Sequence, residues 1–182
     1  PGNVRIAVTA NRRAIVPRHL SEQDDPINPR DAVDDKLALA TCRYVLCTGD
    51  SGVLEEPVEF LAGRPLSPED ESYYDLPGRS AESASVYEHC VRAIRHGFRF
   101  GEHGLPLIGS GDWNDGMNTV GIHGKGESVW LAFFLCEVLR QFARLARQRD
   151  DATFAEECDA VNQRLRESIE LHGWDGEWYR RA

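Results

Sequence analysis

No stretch restricts the fold of this chain as much as residues 127–148, where Val129, Trp130, Phe133, Phe134, Leu135, Val138, Leu139, Phe142 and Leu145 are all apolar. Their spacing predicts a helix. A helix apolar over so much of its circumference must be packed on more than one side. Gln148-Arg-Asp-Asp151 then makes a short polar turn, and Phe154, Cys158, Val161, Leu165 and Ile169 repeat on one face of a second helix over 152–171. So short a connector makes the two helices antiparallel neighbours, and 127–171 is expected to be an αα-hairpin.

The upstream chain reads in the same way. Leu37, Ala40, Tyr44 and Cys47 mark one face of a helix over 34–48 that Gly49 ends. Val86, Cys90, Ala93 and Gly97 mark another over 80–98, with Ser80 as its N-cap. Pro57, Pro65, Pro68 and Pro77 make 55–79 a loop. No segment alternates as a half-buried strand does. The expected fold is all-α, built from helical hairpins joined by long loops. Residues 1–33 lack a period and read as irregular. The chain stops straight after an aromatic-rich turn, so 34–182 is expected to be part of a domain truncated at its C-terminus.

Charge and composition remove several functions. A net charge of −9 disfavours a nucleic-acid partner, which wants a basic face. No apolar run is long enough to span a bilayer. The segment is therefore expected to be cytoplasmic with no direct membrane contact, within a parent free to carry spans elsewhere. The five cysteines form no Cys-x-x-Cys pair and read as free, mostly buried thiols of a reducing compartment, with no metal site.

Chemistry concentrates in the glycine-rich residues 101–126. Asp112-Trp113-Asn114-Asp115 places two carboxylates, an amide and an indole within four residues, and Gly109, Gly111 and Gly116 let the backbone bend around them. An indole offers a flat face to the C–H side of a pyranose, while amide and carboxylate meet its hydroxyls. Cleaving a glycosidic bond needs a proton for the leaving oxygen. A carboxyl shielded by an indole would be held protonated for that task, and either Asp115 or Asp112 could serve. Turn-forming alone also favours Asp, Asn and Gly here. A phosphate-loop reading of 121–128 fails, because Thr119 and Gly126 stand where that motif needs Gly and Ser or Thr. His103 and His123 flank the loop as further candidates for substrate contact.

The stretch Leu105-Pro-Leu-Ile-Gly-Ser-Gly-Asp-Trp-Asn-Asp-Gly-Met-Asn118, followed by Gly124-Lys-Gly-Glu-Ser-Val-Trp-Leu131, resembles glycoside hydrolase family 94. Thr48-Gly-Asp-Ser-Gly-Val-Leu54, Tyr87-Glu-His-Cys-Val-Arg-Ala93 and Trp174-Asp-Gly-Glu-Trp-Tyr-Arg180 support it, and together they are most similar to the phosphorylase-like branch found in cyclic β-1,2-glucan synthases. The resemblance implies an (α/α)6 toroid with Asp115 as general acid. Trp113, Asp112 and Asn114 would bind sugar, as would Asp34 and Asp35, which match a pair of acids in the family. It implies no cofactor, only inorganic phosphate as co-substrate, and a β-linked gluco-oligosaccharide or glucan as partner. Phosphate would attack the anomeric carbon with inversion, so one catalytic carboxyl suffices. The chain departs from the family at Val33 and Pro29, where serine and arginine are expected.

Two other readings stay open at this point. One is a helical remnant without catalysis that at most binds sugar. The other is an inverting hydrolase, which needs a second carboxylate to activate water. Glu127 is the nearest candidate, although its place at a helix start suits capping.

Overall fold

A computed structural model of the chain describes residues 31–63, 78–109, 111–112 and 115–182. Four α-helices are described: α1 (Asp31–Thr48), α2 (Val86–His96), α3 (Val129–Gln148) and α4 (Ala152–Ser168). Two strands, β1 (Pro57–Ala62) and β2 (Gly78–Ser85), complete the regular elements.

Helices α3 and α4 form the expected antiparallel hairpin. At the turn between them Asp150 takes a left-handed φ of 62°, which a short polar side chain tolerates. Asp151 then caps α4, its carboxylate accepting from the Phe154 N–H at 3.1 Å. Phe142 of α3 meets Phe154 of α4 edge-on at 5.7 Å. Leu135, Val138, Leu139, Phe142, Phe154, Cys158 and Leu165 are fully buried. Helix α3 packs on α1 as well as on α4, which is why it is apolar on more than one side. One hydrophobic cluster takes residues from all four helices. The Tyr87 hydroxyl of α2 donates to Asp151 at 2.8 Å, tying that helix to the hairpin turn.

Helix α1 stops at Gly49, whose φ is +71°. Its inward face differs from the one expected. Ala38, Thr41, Cys42 and Val45 are buried, whereas Ala40 and Cys47 are exposed. Tyr44 drew the stripe away from its true line. It is only half-buried, and its hydroxyl reaches out to Asp50 at 3.0 Å.

The all-α expectation is corrected by β1 and β2, which pair antiparallel from Pro57↔Ser85 to Ala62↔Gly78. Pro57 stands at the first strand position, where its missing N–H costs least. Only Phe60 of β1 is buried, so no period-two signal marks the strand. Strand β2 is mostly small and polar, and its serines and alanines imitate a helix start. The N-cap of α2 is accordingly Ser85, not Ser80. The Ser85 hydroxyl accepts from the Glu88 N–H at 3.2 Å, a serine and glutamate three apart as in a capping box.

After α4 the chain makes one π-type turn, Ile169–Gly173. It then doubles back through a tight turn in which Asp175 accepts from the N–H groups of Glu177 and Trp178 at 3.0 and 2.8 Å. This return brings the C-terminal residues alongside the start of α3. Among the described residues no helix is long and apolar enough to cross a membrane.

Candidate active site

The glycine-rich stretch between α2 and α3 is a loop closed at its neck. Ile108 N–H donates to the Gly126 carbonyl and Ser128 N–H to the Pro106 carbonyl, both at 2.8 Å, with Leu107 bridged to Glu127 between them. Leu105 and Ile108 are buried and pin the incoming limb. Further up, Gly121 lies against Gly109 so closely that a Cβ there would overlap the Gly109 carbonyl oxygen. Gly126 faces the Val120 carbonyl in the same way. The outgoing limb needs glycine at both places because backbone packs directly on backbone. Gly109 and Gly111 themselves have φ of 59° and 153°. Beyond the neck the tip carries Asp112 and then Asp115, which opens a 3-10 turn, Asp115–Met117.

Asp112 is held from two directions. Its side chain is 0% exposed. Oδ1 accepts from Arg181 Nη2 at 2.7 Å, and Oδ2 from Arg181 Nη1 at 2.7 Å. Oδ2 also accepts from the Ser128 hydroxyl at 2.7 Å. That hydroxyl is at the same time the N-cap of α3, accepting from the Leu131 N–H at 3.0 Å. A buried carboxylate is costly unless its charge and lone pairs are met. A forked guanidinium does both at once. The bond to Asp112 is the main reason Arg181 is more basic than an ordinary arginine. In this arrangement Asp112 turns no carboxylate oxygen toward solvent and anchors the loop.

Glu127 does not cap α3, whose N-cap is Ser128; its carboxylate turns back to the loop. Oε1 accepts from the N–H groups of His103 and Leu105 at 3.0 and 3.3 Å, and Oε2 accepts from His103 Nδ1 at 2.6 Å. The carboxylate closes the turn at 101–105, and a Cβ at Gly101 would push against the Glu127 side chain. The His172 ring stands 4.9 Å from that of His103. His123 is exposed on the outgoing limb.

Trp113 and Asn114 lie outside the described residues, as do the side chains of Asp34, Asp35 and Asp115. The backbone of Asp34 and Asp35 falls in the first turns of α1. Arg181 escaped the sequence reading. Its only signal is a tandem arginine after the aromatic turn, and its carboxylate partner is 69 residues away.

The family model described as the glycosyl hydrolase 94 superfamily, catalytic domain, matches residues 19–182. The cyclic β-(1,2)-glucan synthase NdvB of Rhizobium meliloti (strain 1021) is 42% identical over 147 residues, 80% of this chain and 5% of the synthase. The solabiose phosphorylase of Paenibacillus borealis is 35% identical over 159 residues, 85% of this chain and 18% of the phosphorylase. The N,N'-diacetylchitobiose phosphorylase of Vibrio furnissii is 34% identical over 118 residues, 62% of this chain and 14% of the enzyme. The chain thus spans less than a fifth of the length of each of these relatives.

Proposed function

Since the chain belongs to the glycosyl hydrolase 94 superfamily, we propose that it contributes the acid-bearing part of a catalytic domain that makes or phosphorolyses β-glucosidic bonds. The whole domain is read as an (α/α)6 toroid, of which the described helices supply hairpins. Residues 34–182 are its share here; of the segment 1–33 expected as irregular, residues 1–30 lie outside the described residues and Asp31–Val33 already belong to α1. The substrate is a β-linked gluco-oligosaccharide or glucan. The co-substrate is inorganic phosphate, and no other cofactor is required. The five free cysteines suit a reducing cytoplasm.

In the proposed reaction a phosphate oxygen attacks the anomeric carbon from the face opposite the leaving group. The bond from that carbon to the glycosidic oxygen breaks. The Asp115 carboxyl gives its proton to the departing oxygen, and the product is a sugar 1-phosphate of inverted configuration. Synthesis is the same path reversed. A phosphate dianion is already a nucleophile, so no second carboxylate has to activate it; an inverting hydrolase would need one. Glu127, the nearest second carboxylate in sequence, is committed to His103 and two backbone N–H groups. Trp113 and Asn114 are proposed to contact sugar from the same tip, and Asp34 and Asp35 to grip it from α1. Asp112 serves from beneath.

One observation carries this reading. The tip bearing Asp115 is mounted on a neck of interlocked backbone and anchored by a buried, doubly paired Asp112. Rigid mounting of this kind is what positioning an acid requires. The test is Asp115→Asn in the polypeptide that carries the whole catalytic domain. Phosphate-dependent formation of sugar 1-phosphate should fall by about 10²–10⁴-fold, with sugar binding by calorimetry retained. Unchanged turnover in Asp115→Asn would remove the acid assignment. Reducing sugar released without phosphate would favour the hydrolase instead, and no turnover by the unmodified protein would favour a sugar-binding remnant.

A further inference from the structure

We infer that Arg181 is a positioning residue for the acid: by clamping Asp112 it fixes the loop tip from which Asp115 acts. The inference rests on the proposed acid role of Asp115.

Arg181 lies in the segment that returns to α3 after the Trp174–Tyr179 bridge. Its guanidinium meets both oxygens of Asp112 at 2.7 Å and the Ser128 hydroxyl at 3.2 Å. The arginine is itself fixed to α3. Its carbonyl accepts from the Trp130 N–H at 3.5 Å, and its guanidinium carbon stands 5.6 Å from the centre of the Trp130 ring. Three parts of the chain therefore converge on one carboxylate: the loop tip, the α3 N-cap and the C-terminal return.

Asp112 precedes Asp115 by three residues. Even fully extended, that span of chain reaches at most about 10 Å. Freedom at Asp112 passes directly to the acid. Without the guanidinium, a carboxylate with 0% exposure keeps the Ser128 hydroxyl but loses the paired charge of Arg181. The tip is then less firmly held and freer to shift or open to water. A displacement near 1 Å at a reacting group costs about 10²-fold in rate. The fork of Arg181 faces both oxygens of Asp112, which places the residue to act through the loop.

The test uses the full catalytic polypeptide. Arg181→Ala should lower kcat by about 10²-fold and leave KM for the glucoside within about threefold, since uniform binding is untouched. Millimolar guanidinium ion should restore part of that kcat, because the Arg181 side chain is 38% exposed and its place can be refilled from solvent. Arg181→Lys supplies charge without the fork and should fall between the two. Combining Arg181→Ala with Asp112→Asn should cost no more than the worse single change, since both act through one contact. Hydrogen exchange should rise at residues 111–120 of Arg181→Ala.

A kcat unchanged in Arg181→Ala, or a loss that guanidinium does not relieve while the variant is folded, overturns the inference. If Arg181→Ala fails to fold, Arg181→Lys carries the test, and a kcat equal to that of the unmodified protein overturns it. The acid assignment fails separately, through an active Asp115→Asn. If Asp115→Asn is inactive and Arg181→Ala is not impaired, the acid reading stands and the positioning role falls.

Discussion

His89 is a buried histidine. Nε2 donates to the Val58 carbonyl at 2.9 Å, while Nδ1 is buried with no hydrogen-bond partner among the described residues. Its ring lies 4.1 Å from that of Phe60, which also carries the Arg92 guanidinium on its face at 4.7 Å. Burial, reinforced by Arg92 and only partly opposed by the Val58 bond and Glu88, pushes its pKa below the ordinary histidine value of 6.5. The unfolded chain therefore takes up a proton at this residue before the folded chain does. Its contribution to stability is complete above about pH 6.5 and is lost as pH falls through the lower, folded-state value. His89→Gln should flatten the decline in unfolding free energy between about pH 7 and pH 5. An unchanged slope would mean that His89 already protonates normally in the fold. Single residues also mark where reading the sequence stopped. The bend around Asp115 could be seen in the run of glycine, aspartate and tryptophan, because that chemistry is local. The anchoring of Asp112 could not, because Arg181 is remote along the chain and joins it only through folding.

At the scale of elements, the long helices were legible and the hairpin of strands was not. Helix α3 announces itself because its buried face is wide and its apolar residues are large. Strands β1 and β2 bury little, and pairing with a neighbour, rather than intrinsic preference, makes β2 extended. Helix starts separate into two kinds that can be compared directly. Ser85 caps α2 by accepting from Glu88, whereas Ser128 caps α3 and also donates to buried Asp112. Ser85→Ala should cost about 1 kcal/mol, the usual value of a lost cap. Ser128→Ala should cost about 2 kcal/mol or more, because it also strips a donor from a buried carboxylate. Denaturant unfolding of the two variants measures the difference. Equal losses would show that the bond from Ser128 to Asp112 adds nothing to stability.

At the scale of the whole molecule, three thiols report whether the described helices open together. Cys42 on α1, Cys90 on α2 and Cys158 on α4 belong to the same core cluster. Burial pushes each of their pKa values up to about 12, which suppresses the reactive thiolate. Cys47 lies on the outer side of α1 and is exposed. A thiol reagent at mildly alkaline pH should label Cys47 at once in the native protein. Cys42, Cys90 and Cys158 should follow slowly and at one shared rate, that of opening the core. Three distinct rates would mean that the helices part company in stages. This shared core was readable from the sequence as a set of apolar stripes. Which stripe faces which was not, as the misplaced face of α1 illustrates.

The contact between Gly109 and Gly121 bears on how such a site can change over evolutionary time. Since the two limbs already meet there, the scaffold itself meets the entropy of closing the ring, and the residues strung between them form a cassette. Apart from Asp112, which is tied to the α3 N-cap and to Arg181, its contents can be lengthened, shortened or exchanged without disturbing the helices below. The clasp has no such latitude: one added methyl group at Gly121 would force the limbs apart and scatter whatever chemistry the cassette carries.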